Sequence, residues 1–150
     1  MKYLLIGICM CTVILFISSC KKSSSGRTID SNSLTGIWEL KKVGTSWVPN
    51  VPGVAGKGNR LKFTATTYQL YTEGVLVKSG TYQTEKDSTV EQNVCLIFKP
   101  GEYGQRISYS DSTNFKIFFQ LTKDTLSFQT GCYAVDGGRN DVYERVNDDN

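Results

Sequence analysis

From Leu34 onward the chain alternates apolar and polar residues with a period of two, and the connections are too short for a crossover helix. A period of two puts alternate side chains on opposite faces of a strand. Trp38 and Leu40 share a face in the run Gly36 to Lys41, as do Leu61 and Phe63, then Tyr68 and Leu70. Val75 and Val77 lead into Ser79-Gly80-Thr81-Tyr82. Val94, Leu96 and Phe98 alternate with Cys95, Ile97 and Lys99; Ile107 and Tyr109 form a shorter run. Phe115, Ile117, Phe119 and Leu121 make the clearest buried face, followed by Leu126, Phe128 and Thr130, and then by Val142 to Val146. Turn-forming pairs separate these runs: Thr66-Thr67, Glu73-Gly74, Pro100-Gly101, Asp111-Ser112, Lys123-Asp124 and Asp136-Gly137-Gly138. Short connections make neighbours antiparallel. The fold expected is all-β, an antiparallel up-and-down meander of about eight or nine strands, which loses its exposed edges by closing into a barrel.

One linker breaks this rhythm. Residues 44–59 carry Trp47, Pro49, Pro52 and four glycines. A loop of that length in a compact domain is often functional.

Composition narrows the chemistry. Histidine is absent, which removes Ser-His-Asp and Cys-His catalysis and every zinc site that needs imidazole. Lys and Arg nearly balance Asp and Glu and both signs are scattered, so nothing suggests nucleic acid. Gly53 to Gly58 has the glycine spacing of a phosphate loop, but Asn59-Arg60 stands where Lys and Ser or Thr are required. Asp136 to Asp141 lacks the closing bidentate glutamate of a calcium loop. Glu85, Asp87 and Glu91 lie in a polar stretch that reads as a solvated loop. No catalytic constellation, metal site or cofactor site is expected.

The chain start is a separate unit. Met1-Lys2-Tyr3 is a short cationic beginning, and Leu4 to Ile17 is almost entirely apolar. As a helix this run rises about 21 Å, short of the roughly 30 Å hydrocarbon core of a bilayer, which is signal-peptide length. It ends Ile17-Ser18-Ser19-Cys20, which resembles the lipobox of bacterial lipoproteins. The resemblance implies export, diacylglycerol on the Cys20 thiol, cleavage before Cys20 and membrane attachment through that lipid. Residues 1–19 are then a signal peptide, 20–33 a Ser-rich flexible tether, 34–147 the barrel and 148–150 a polar tail. Some surface-directed lipoproteins carry an acidic cluster after the lipidated cysteine; Lys21-Lys22 stands here instead. The expected location is therefore the outer membrane facing the periplasm, with the cell surface left open.

After Cys20 only Cys95 and Cys132 remain. Exported proteins form disulfides readily, but the strand pattern argues for free thiols. Cys95 faces away from Val94, Leu96 and Phe98, whereas Cys132 keeps parity with Leu126 and Phe128. At least one whole strand lies between them; strands two apart are separated by about 9–10 Å, and a disulfide needs Cα atoms within about 7 Å.

Thr35-Gly36-Ile37-Trp38 resembles the Gly-x-Trp start of lipocalins and of lipocalin-like domains in bacterial lipoproteins. The long first loop matches the lid position of that family, and Leu121 to Leu126 and Tyr143 to Val146 are also similar to it. The resemblance implies that Trp38 plugs one barrel end and that Arg145 lies over its ring, a cation–π pair worth about 0.5–2 kcal/mol. It also implies a non-catalytic binding protein for a small apolar or amphipathic ligand, with Trp47, Tyr68 and Tyr71 as candidate ligand contacts. The alternative is a protein-interaction module with a filled barrel. An enclosed space of roughly 300 Å³ or more favours the ligand; a packed interior beside an exposed aromatic patch favours the partner.

Overall fold

The computed structural model describes residues 33–52, 54–111 and 115–147. Residues 1–19, Cys20, most of the tether and residues 148–150 lie outside the described residues.

Eight antiparallel strands close into a barrel in simple chain order. They are β1 (Gly36–Thr45), β2 (Arg60–Phe63), β3 (Thr67–Thr72), β4 (Val75–Lys86), β5 (Gln105–Tyr109), β6 (Ile117–Leu121), β7 (Thr125–Thr130) and β8 (Arg139–Val146). The up-and-down barrel expected from the alternation is the fold observed. Closure comes from β1 against β8, with Trp38 opposite Arg145 and Thr45 opposite Arg139. The β3–β4 hairpin turns on Glu73-Gly74, both with positive φ (51° and 80°), as a two-residue turn of this hand requires.

Alternate residues fill the interior. Trp38, Leu40, Val43, Leu61, Phe63, Tyr68, Ile107, Phe119, Leu126, Phe128 and Tyr143 are all buried in one cluster. Aromatic edges interlock within it: Phe63 meets Tyr82 at 5.0 Å, and Phe128 meets Tyr143 at 5.8 Å between ring centroids. Such contacts add about 0.5–1.5 kcal/mol each beyond burial.

The long loop is stitched to the sheet. β2 pairs only with Gly36 to Glu39 of β1, leaving the rest of that edge unpaired by β2. Residues after β1 fill the place: Leu40 donates to Asn59 O (2.9 Å), Gly56 to Leu40 O (2.7 Å) and Val51 to Val43 O (2.7 Å). Val51 and Val54 then pack against the core.

The main departure from expectation lies between β4 and β5. Val94 to Phe98 is not a strand. Val90–Val94 forms a short helix, α1, and Cys95 caps it in the left-handed region with φ 60°. Val90 and Val94, four apart, face the barrel's outer wall and pack with Tyr103 and the outward-facing Phe118 in a second small core. Asp87 anchors this layer: it accepts from the Thr89 hydroxyl (2.6 Å) and amide (2.9 Å) and pairs with Lys116 (2.9 Å). It is therefore not part of a solvated loop. Phe115 is also misplaced by the alternation, since β6 begins at Ile117 and Phe115 is 74 % exposed.

The same rearrangement overturns the free-thiol expectation. Cys95 and Cys132 form a disulfide, with Cα atoms 5.0 Å apart. Strand spacing did not apply, because neither cysteine sits in a strand. α1 crosses the outside of the barrel and delivers Cys95 to the turn after β7, where Cys132 precedes a single 3-10 turn at Tyr133–Val135.

Candidate functional site: a cleft at the base of the barrel

The base of the barrel is the end where β1 begins and β6 turns into β7. Trp38 is fully buried there and donates its indole N–H to Leu34 O at 2.8 Å. The Arg145 guanidinium carbon lies 4.1 Å from the centroid of the Trp38 ring. Its two terminal nitrogens donate to Thr35 O and Ser33 O, both at 2.8 Å. The entering chain is thereby tied across the ring. Gly36 is required beside them: its φ is +141°, and a Cβ would come within 2.8 Å of Arg145 Nη1. The spacing Gly36-x-Trp38 thus has a local cause, close approach of the guanidinium to the backbone.

Beside this sealed part the base is open. A cleft of about 1020 Å³ lies between the entering segment Ser33-Leu34, the end of β4, the start of β5 and the end of β6. Strand register identifies its wall. Tyr82 pairs with Tyr109, Thr84 with Ile107 and Lys86 with Gln105. Gln105 pairs with Phe119, and Phe119 with Phe128. Cross-strand partners share a face, and Ile107, Phe119 and Phe128 are core residues. Tyr82, Thr84, Lys86 and Gln105 therefore belong to the barrel's interior face, on a stretch where β3 no longer pairs with β4, its last partner there being Thr81. Leu34, Phe119, Leu121 and Tyr82 supply apolar surface and Gln105 a polar position, while Gln83, Gln120 and Tyr103 border the cleft from the outer face. Leu34 serves both parts: it accepts the Trp38 hydrogen bond and lines the cleft. The space is large but open to solvent and not enclosed, and it adjoins the buried core cluster.

The three candidate ligand contacts are not brought together. Trp47 sits in the loop after β1 at the opposite end and is 75 % exposed. Tyr68 is a core residue whose hydroxyl donates to Asp111 Oδ1 at 2.6 Å, which lowers the Asp111 pKa. Burial raises the Tyr68 pKa, and the bond to Asp111 adds to the effect. Tyr71 faces outward, donating to Gln69 Oε1 at 3.1 Å and lining a shallow external depression with Arg60 and Lys62. None of the three lines the cleft. The family resemblance and aromatic type together suggested them, and parity with the core strands would have separated inward Tyr82 from outward Tyr71.

The far end carries a different surface. Trp47, Phe115 and Val135 fall in its loops, and the disulfide brings Cys95, two residues before Ile97, to the turn after β7. Trp47, Phe115, Val135 and Ile97 are 75 %, 74 %, 74 % and 93 % exposed.

Asp141 is a carboxylate on the interior face, opposite Phe128 and Val43 on the strands beside it. Desolvation raises its pKa, while both its oxygens accept from Arg139 Nε at 2.9 Å. Asp136, by contrast, closes the 3-10 turn in the left-handed region at φ 59°. Among the described residues, no group of three or more Cys, Asp or Glu side chains is arranged to hold a metal, and no helix is long and apolar enough to cross a membrane. No family model matches the chain, and neither the curated proteins nor the solved structures contain a match to it.

Proposed function

We propose that this protein is a lipid-anchored, non-catalytic binding protein of the bacterial cell envelope that holds a small amphipathic ligand in the basal cleft. The observation that supports it most is the uncovered strip of interior face on β4, β5 and β6, about 1020 Å³ of space against the buried core cluster. The lining is mixed, with Leu34, Tyr82, Phe119 and Leu121 beside Thr84, Lys86 and Gln105, which suits an amphipathic ligand and not a purely apolar one. The lipobox-like Ile17 to Cys20 supplies the anchor, and the lipocalin resemblance at Gly36-x-Trp38 agrees with a binding role. The cleft is bounded by Ser33, thirteen residues after Cys20, so in this reading the ligand site lies at the end of the barrel that faces the tether.

Native mass spectrometry of the full chain taken from its own membranes tests this. Thr84 is an exposed residue on the cleft wall, and Thr84→Trp fills the space with little demand on the core. An adduct of small-molecule mass on the parent, lost in Thr84→Trp, is the expected result. No adduct on the parent, or equal occupancy in both, would refute the proposal.

A second reading, a protein-interaction module, is favoured by the exposed Trp47, Ile97, Phe115 and Val135 at the far end. Under it, crosslinks from positions 97 and 135 to a single partner survive Thr84→Trp.

A further inference from the structure

We infer that the basal cleft selects single-chain amphiphiles with an anionic head, and that Lys86 reads the head. The inference rests on the cleft being the ligand site proposed above.

One cross-strand row carries it. Lys86, Gln105, Phe119 and Phe128 lie side by side on β4, β5, β6 and β7, all on the interior face. Along this row the chemistry runs cation, amide, aromatic, aromatic. Exposure changes in step: Lys86 and Gln105 are exposed, whereas Phe119 and Phe128 are 4 % and 6 % exposed. Of the four, Lys86, Gln105 and Phe119 line the cleft, so a charged head beside Lys86 and an apolar tail against Phe119, Leu34 and Leu121 follow that order.

The sign of the head follows from the charges present. Among the described residues lining the cleft, Lys86 is the one charged side chain. Its sequence neighbours are acids, but they point to the outer face and are already matched. Glu85 accepts from Arg106 Nε at 2.6 Å, and Asp87 pairs with Lys116 at 2.9 Å. Among the described residues, no carboxylate pairs with Lys86. An anion placed beside Gln105 meets an unmatched ammonium and amide donors, whereas a cationic head meets like charge. Charge-assisted hydrogen bonds of this kind are about twice as strong as neutral ones.

The test uses the full chain in phosphatidylcholine nanodiscs, titrated calorimetrically with dodecanoate, dodecanol and dodecyltrimethylammonium, with empty discs subtracted. Dodecanoate should bind about tenfold more tightly than the ammonium, equivalent to about 1.4 kcal/mol. Lys86→Gln should lower dodecanoate affinity by about tenfold and leave dodecanol unchanged. Equal binding of the two charged probes by the parent, or undiminished dodecanoate binding by Lys86→Gln, overturns the head-group inference and leaves the cleft as a neutral site. Failure of all three probes to bind overturns the cleft reading and this inference with it.

Discussion

Replacing Trp38 with alanine should be among the most damaging single changes in the barrel. The side chain is fully buried and central to the core cluster. Truncating a buried tryptophan costs about 3–5 kcal/mol through lost transfer energy and a residual cavity. Two further losses push this site toward the upper end. Leu34 O loses its indole donor at 2.8 Å, and a buried acceptor left unpaired costs about 1–3 kcal/mol. Arg145, at 4.1 Å from the ring, loses its stacking partner. Arg145→Ala should cost less, because Thr35 O and Ser33 O lie only partly buried and regain water. The two substitutions should not add: the coupling expected for a partly buried cation–π pair is about 0.5–2 kcal/mol. Urea melts of the parent, both single variants and the double variant give all four free energies, provided the slope m is unchanged. A Trp38→Ala midpoint equal to that of the parent, or a coupling of zero, would refute the description of a stacked, sealed barrel end.

Two further outcomes follow from the outer layer. Reducing Cys95–Cys132, or replacing either with serine, should cost about 4 kcal/mol by loop-closure entropy for a separation of 37 residues; thiol counting on the denatured, unreduced chain with Cys20 removed should find neither of these two sulfurs free, and finding both would contradict the crossing path of α1. Asp87 is held at a pKa of about 2, below its usual 3.8, by the Thr89 hydroxyl first and by Lys116. Its folded-state pKa is depressed, so its contribution is complete above about pH 4 and falls away as pH drops through 2. The stability gap between parent and Asp87→Asn should follow that window, and a gap independent of pH from 5 to about 2 would contradict the assignment.

Much of the barrel was legible because a period of two leaves few alternatives once connections are short. The strands at Trp38, Leu61, Phe119, Leu126 and Tyr143 lie where their alternation put them. The segment from Val90 to Phe98 misled for a physical reason. Five residues are too few to show a helical period, and Val94 to Lys99 happens to alternate. A signal was present in Asp87-Ser88-Thr89 ahead of Val90 and Val94, the polar start and four-residue spacing of a short helix. The disulfide was missed with it, since the separation argument assumed that both cysteines occupied strands. The cleft was the least legible part. Its wall is made of ordinary interior positions, and its openness depends on strands ending at different heights, which is a property of register and not of any motif.

Photolabelling shows whether the uncovered interior face of β4 to β6 binds a ligand. The full chain in phosphatidylcholine nanodiscs is irradiated with a dodecanoate analogue bearing a diazirine at the tail end, and the modified peptides are sequenced. Labels should fall within 82–86, 103–105 and 119–121, compete with unlabelled dodecanoate and disappear in Thr84→Trp. Competable labelling at Trp47, Tyr71 or Ile97, with the strip from Tyr82 to Lys86 untouched, would place binding elsewhere and refute the basal site.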